Sequence, residues 1–218
     1  MNLAVFASGR GSNLEALLKA KDEGRLRNVN FRLVFSDNPE ARAINIARQH
    51  GIDTAVIEPK PFKKNREAYD TAILQVLQEH SIELICLAGY MRIVSKILLD
   101  AYQNRIINIH PALLPSFPGL HGQKQALDYG VKVSGCTVHF VDSGVDTGPI
   151  ILQAVVPVLD TDDEDTLSER ILHYEHQMYP RALEIVSEGK ARIVGRKVYI
   201  DEDEWNKGIR PGNLGPVK

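Results

Sequence analysis

Cysteine is scarce in this chain of 218 residues: Cys86 and Cys136 stand alone, in neither a CxxC pair nor a Cys/His zinc pattern. Each falls in an apolar run that reads as a strand, so both are expected to be buried thiols. Long apolar runs are missing as well, and none approaches the roughly 20 residues that a membrane helix needs. The first six residues read directly as a strand, with neither a basic region nor a cleavage site. A reduced cytoplasmic setting with no membrane partner is expected. Charge of one sign is not in excess either, the formal net charge being −2 with no long basic run. A nucleic-acid binder needs a clustered cationic surface to release counterions, so no nucleic-acid partner is expected. Small anions stay open, because a few placed donors can hold a phosphate without shifting net charge. Internal repeats and low-complexity linkers are also lacking, and residues 1–200 read as one domain.

What is present is the balance of a folded protein. Hydrophobic residues make up 44% and charged residues 25% of the chain, enough apolar surface to offset chain entropy. Short apolar runs at 3–7, 31–35, 54–57 and 84–88 read as strands buried on both faces. Helical spacing links Leu14, Leu17 and Leu18, then Ile44, Ala47 and Arg48, then Tyr69, Ile73, Val76, Leu77 and His80. Alternating β and α elements predict a mostly parallel, Rossmann-like α/β sheet flanked by helices. A fifth strand, 105–109, leads into His110-Pro111 and a loop rich in proline and glycine. The C-terminal half turns to antiparallel additions: 133–141 and 150–158 flank a glycine-bearing loop, and 191–200 reads as a small hairpin around Gly195. Between them 165–188 has helical spacing, which Pro180 is expected to break or kink. Residues 201–218, acidic and then rich in glycine and proline, read as a flexible tail.

Three places carry candidate chemistry. Ser8-Gly9-Arg10-Gly11-Ser12-Asn13 joins the first strand to the first helix, where unpaired N–H groups make a seat for phosphate. Ser12 and Glu15 also have capping-box spacing, so the same loop can be read as only a turn and a cap. Gly9-x-Gly11, followed by Asp37 at the end of the second strand, fits part of a dinucleotide fingerprint. Leu14 holds the place of the third glycine, so a single phosphate is the better fit. Asn108 and His110, two apart at the end of the fifth strand, project to one face at the edge where ligands bind in open α/β sheets. An amide beside an imidazole suits oxyanion stabilisation and proton movement, and equally suits a structural pair. The third place is the loop Asp142-Ser143-Gly144-Val145-Asp146-Thr147-Gly148-Pro149. It is either a surface turn or the source of a carboxylate that reaches His110 and raises its pKa.

Together these segments resemble the phosphoribosylglycinamide formyltransferases, within the wider formyltransferase superfamily. The resemblance rests on 7–13, Leu87-Ala88-Gly89-Tyr90-Met91-Arg92, Asn108-Ile109-His110-Pro111-Ala112-Leu113-Leu114-Pro115 and Gly119-Leu120-His121. It continues through Val138-His139-Phe140-Val141, 146–151 and Glu175-His176, covering the chain from Leu3 to about Ile200. It implies the formyltransferase fold and direct transfer of the formyl group of 10-formyltetrahydrofolate to the amine of glycinamide ribonucleotide, through a tetrahedral intermediate and without a metal. By position Asn108 and His110 would stabilise the oxyanion, His110 would donate a proton, and Asp146 would keep His110 protonated. Gly11, Ser12 and Asn13 would hold the substrate phosphate. Glu175, on the apolar face of its helix, would hold the ribose hydroxyls or the amine. For the folate cosubstrate the resemblance points to Met91, Arg92, Ile93 and Val94 as pocket wall, to Asn108, and to Arg66 at an anionic group, the folate tail in preference to the substrate phosphate. It closes the site with Val141, Asp142, Ser143, Gly144, Val145 and Asp146, and makes the loop around His121 a mobile flap without a catalytic role. Leu172 departs from the pattern, standing where some members carry a polar or basic residue.

Rival functions are weighed on the same features. A formyltransferase acting on tRNA is expected to carry a further C-terminal domain, and a formyl-folate hydrolase a further N-terminal one. A nucleotide-binding oxidoreductase is opposed by Leu14, and an inert binding module by the trio Asn108, His110 and Asp146. The expected partners are small-molecule substrates, in a monomer or homodimer.

Overall fold

A computed structural model describes residues 1–63 and 65–201. The expected tail at 201–218 therefore lies, beyond Asp201, outside the described residues. The chain folds into two compact units, one of residues 1–108 with 141–143, the other of residues 109–140 with 144 onward.

The first unit alternates strand and helix. Its strands are β1 (Asn2–Phe6), β2 (Asn30–Ser36), β3 (Asp53–Val56), β4 (Leu84–Leu87) and the start of β5 (Ile106–His110). Its helices are α1 (Ser12–Asp22), α2 (Arg42–Gln49), α3 (Arg66–Glu79) and α4 (Lys96–Ala101). The strands pair in parallel in the order β3-β2-β1-β4-β5, so β1 runs between β2 and β4. All four residues of β4 and the last four of β1 are buried, as continuous apolar runs in a helix-covered parallel sheet should be. One face packs Phe6 and Phe35, ring centroids 4.7 Å apart, against Tyr69, Ile73 and Leu77 of α3 and Leu98 of α4. Each such fully buried side chain contributes about 1.5–3 kcal/mol.

The second unit is built on an antiparallel pair, β6 (Val133–Phe140) with β7 (Ile150–Pro157). Gly135 lets these strands approach, because a Cβ there would lie 1.9 Å from the Ala154 carbonyl oxygen. A smaller antiparallel pair, β8 (Ala191–Val194) with β9 (Lys197–Ile200), joins β7 through a parallel bridge between Ile150 and Lys197. Two helices, α5 (Gly122–Tyr129) and α6 (Glu164–Ser187), complete the unit, and α6 lies against β6 and β7.

The expected strands all form, with ends differing by a residue or so, and the sheet is mostly parallel in the first unit with antiparallel additions in the second. Three points differ from expectation. Of the break or kink expected at Pro180 the break is absent, and α6 runs as one helix from Glu164 to Ser187. Burial of Met178, Tyr179, Ala182 and Leu183 on its inner face outweighs the roughly 3 kcal/mol that an interior proline costs. The Ser12–Glu15 capping box is absent: left-handed Gly11 is the N-cap, and Glu15 binds Arg42 at 2.7 Å. Helices α4 and α5 are additional, because six and eight residues are too few for a clear apolar period. Among the described residues no helix is long and apolar enough to cross a membrane.

Candidate active site

In the first unit, the connections leaving β1 and β4 diverge to opposite sides at the carboxyl ends of neighbouring parallel strands, the usual crevice of open α/β sheets. Hydrogen bonds tie the two loops together there. Ser8 N–H donates to the Gly89 carbonyl at 3.1 Å, and Met91 N–H donates to Ser8 Oγ at 3.1 Å. Gly11 has φ 77°, and a Cβ on it would lie 2.9 Å from Ile46 Cδ1 and 3.0 Å from Ala43 Cα. Only glycine therefore lets the loop turn into α1 while packed on α2. The turn leaves the first-turn N–H groups of α1 beside half-buried Ser12 and buried Asn13, the expected phosphate seat.

The same unit holds an open cleft of about 1050 Å³. Arg66, Ile93, Val94, Val141, Asp142 and Ser143, all expected at the folate, line it. Arg66 opens α3, whose N-cap Asn65 accepts from Ala68 N–H at 3.0 Å. The wall at 93–95 is pinned from behind, where buried Asp70 accepts the Ser95 N–H at 2.6 Å. Met91 and Arg92 are not among the lining residues. Met91 is 64% exposed, and the Arg92 guanidinium stacks 5.0 Å over the Tyr69 ring. Gly144 and Val145 belong to the second unit, where a Cβ on Gly144 would collide with Thr147 Oγ1 at 2.0 Å.

The acid–base groups gather within the second unit. Strand β5 ends on His110, two residues after Asn108, and the His110 side chain is almost completely buried. Its Nδ1 lies 3.3 Å from Asp146 Oδ2, and its Nε2 lies 2.8 Å from the Phe117 carbonyl oxygen. Asp146 Oδ2 also accepts the Gly119 N–H at 2.8 Å. The loop carboxylate thus reaches the imidazole, which no spacing rule could establish.

The expected electrostatic consequence is reversed. Burial holds the His110 pKa below the ordinary imidazole value, outweighing Asp146 and the Phe117 carbonyl, which favour the cation; His139 adds to the lowering. The 3.3 Å gap agrees, being longer than a charge-assisted N–H···O contact of about 2.7–2.9 Å. A neutral ring that donates its Nε2–H to the Phe117 carbonyl would turn a lone pair toward the carboxylate. For Asp146, burial alone would raise the pKa, yet His139, the Gly119 N–H and His110 together hold it below the ordinary range.

Sequence reasoning missed His139 as a member of this group. Its Nε2 lies 3.6 Å from Asp146 Oδ1, and its side chain is 2% exposed. Its signals in the sequence were a histidine within the apolar run of β6 and its place in the matching segment 138–141. Phe117 and Gly119 act through backbone atoms, which side-chain identity does not reveal. Glu175 is buried on α6 as expected, and it pushes the pKa of buried Cys136 further up beyond the effect of burial. His121, at φ 61°, is the N-cap of α5 and lies 3.9 Å from Glu164. Among the described residues no group of three or more His, Cys, Asp or Glu side chains could hold a metal ion.

Comparison with known proteins gives a consistent picture. The family model described as "Formyl transferase" matches residues 1–183. The trifunctional purine biosynthetic protein adenosine-3 of Drosophila melanogaster is 49% identical over 192 residues, covering 88% of this chain and 14% of that protein. The chain thus spans a small fraction of such multifunctional relatives. The phosphoribosylglycinamide formyltransferase of Bacillus subtilis is 45% identical over 181 residues, covering 83% of this chain and 91% of the relative. Among solved structures, glycinamide ribonucleotide transformylase 1 from Symbiobacterium toebii matches with a TM-score of 0.89 at 48% identity, over 92% of this chain and 93% of that one. The chain is a member of the formyl transferase family.

Proposed function

We propose that the protein transfers the formyl group of 10-formyltetrahydrofolate to the amine of N1-(5-phospho-D-ribosyl)glycinamide, a step of purine biosynthesis. The observation that carries this reading is the pair of buried His110 and half-buried Asp146, 3.3 Å apart, at the end of the strand bearing Asn108. The likeness to phosphoribosylglycinamide formyltransferase supports glycinamide ribonucleotide as the acceptor. The donor set of the cleft fits the cosubstrate, with Ile93, Val94 and Val141 for a flat apolar ring system and Arg66 for an acidic tail.

In this mechanism the amine nitrogen attacks the formyl carbon. The carbonyl becomes an oxyanion, held by Asn108 and His110. The bond from carbon to N10 of the folate then breaks, the amine loses one proton and N10 gains one. A depressed pKa suits His110 to enter neutral, take up the amine proton and pass it to N10. Asp146, facing Nδ1, stabilises the imidazolium only while it exists, which confines the benefit to the charged stage. The Phe117 carbonyl occupies Nε2, so residues 116–121 must shift if that nitrogen is to meet substrate. Gly11, Ser12 and Asn13 hold the phosphate, and Glu175 the ribose hydroxyls or the amine. Met91 and Arg92 flank the folate, and the loop of Asp142, Ser143, Gly144 and Val145 closes over it.

A formyl-transfer assay with glycinamide ribonucleotide, run beside a reaction without acceptor, tests the proposal. Acceptor-dependent release of tetrahydrofolate supports it. Equal release without acceptor makes the protein a hydrolase instead.

A further inference from the structure

The mechanism above leaves His139 unused, although it is as deeply buried as His110. Its Nδ1 lies 2.9 Å from the Phe140 carbonyl oxygen and its Nε2 3.6 Å from Asp146 Oδ1. The Asp146 carboxylate is thus divided, with Oδ2 serving the Gly119 N–H and His110 and Oδ1 turned to His139. Asp146 also has φ 54°, a left-handed backbone that is uncommon for a non-glycine residue. We propose that His139 is the positioning residue of Asp146, holding Oδ1 so that Oδ2 stays turned toward His110.

Two imidazoles share one carboxylate here, and each also faces a backbone carbonyl: Phe117 for His110, Phe140 for His139. Neutral rings supply two N–H groups for these four acceptor contacts. One added proton brings the cluster to zero net charge, a state that low-dielectric surroundings tolerate, and a second leaves it cationic. His139 acts on the charge of both His110 and Asp146. On α6, which packs against β6, Glu175 acts on Cys136. On β7, the residue opposite His139 is uncharged Ile150.

His139→Leu and His139→Gln in the full chain test this inference, with His110 followed by 15N NMR titration and formyl transfer measured from about pH 5 to 9. Leucine removes the contact to Oδ1, and kcat should fall about tenfold to a hundredfold with KM for the ribonucleotide unchanged. Glutamine can place an amide on the same oxygen but carries no charge, so it should recover most of the lost kcat. Leucine lets the carboxylate turn away, so the His110 titration midpoint should lie at lower pH in that variant than in the glutamine variant, which keeps Asp146 in place. The inference is overturned if His110 titrates alike in all three proteins. It is equally overturned if glutamine does no better than leucine and both lose activity in step with thermal stability. The inference rests on the formyl-transfer reading for its kinetic arm alone. If the unaltered protein transfers no formyl group, that reading fails and the NMR titration still decides the role of His139.

Discussion

A histidine with a carbonyl oxygen at one ring nitrogen and a carboxylate at the other has acceptors for two protons and, when neutral, holds one. His110 is in this position, and its reactivity depends on a second proton that burial discourages and Asp146 welcomes. Replacing it with alanine should lower kcat by about 10²–10⁴-fold, the contribution typical of a placed acid–base group. Asp146→Asn keeps the shape while removing the charge, and should lower kcat in the same direction. Steady-state kinetics beside circular dichroism check both, and full activity in either variant removes the assigned role. Arg66 is a different kind of residue, exposed at the start of α3 and lining the cleft. Arg66→Ala should raise KM for the folate cosubstrate severalfold with little change in kcat, the mark of binding equally strong in ground and transition states. A loss confined to kcat would remove Arg66 from the folate tail.

At the scale of elements, two glycines hold the scaffold of these sites. Gly135 lies where β6 passes β7, and alanine there would drive a methyl group into the Ala154 carbonyl. Gly135→Ala should cost about 1–3 kcal/mol or more, read from urea unfolding, because backbone on both strands must move. Gly11→Ala meets both a positive φ and the packed side of α2. It should destabilise by about 1–3 kcal/mol and weaken ribonucleotide binding together. Lost binding with unchanged stability would mean that the loop adapts. The strands were legible in the sequence because buried parallel strands are unbroken apolar runs. Helix α6 was legible from its spacing, but its passage through Pro180 was not, since only its packed face reveals what offsets the missing N–H. The Ser12–Glu15 spacing misled for a related reason: a capping box competes with other partners, and Arg42 of α2, remote in sequence, claims Glu15.

For the molecule as a whole, the buried acid–base cluster links stability to pH. The unfolded chain protonates His110 near the ordinary 6.5, and the folded chain resists until lower pH. Its contribution is therefore fully present above 6.5 and is lost as pH falls through the folded value. Asp146, held below its ordinary 3.8, acts with the same sign further down, contributing above 3.8 and losing that contribution as pH falls through its folded value. The urea midpoint should therefore decline from about pH 7.5 to pH 5, and His110→Asn should flatten that decline. A midpoint that rises or stays level over this range contradicts the assignment of His110 as a buried neutral ring. Family membership fits the same scale, since the match extends over residues 1–183 and so reaches into both compact units.

Periodicity and residue type alone determined the α/β class, the placement of Asn108 and His110 on one strand face and the inward turn of Glu175, because each depends on neighbours within a few positions. Resemblance added Asp146 to that set without any geometry. The tertiary structure alone decided that Asp146 meets His110, that His139 takes the carboxylate's other oxygen, and that the imidazole is held toward its neutral form. Contacts between residues far apart in the chain and the desolvation of a ring arise only when the backbone closes around them, and no local pattern records either.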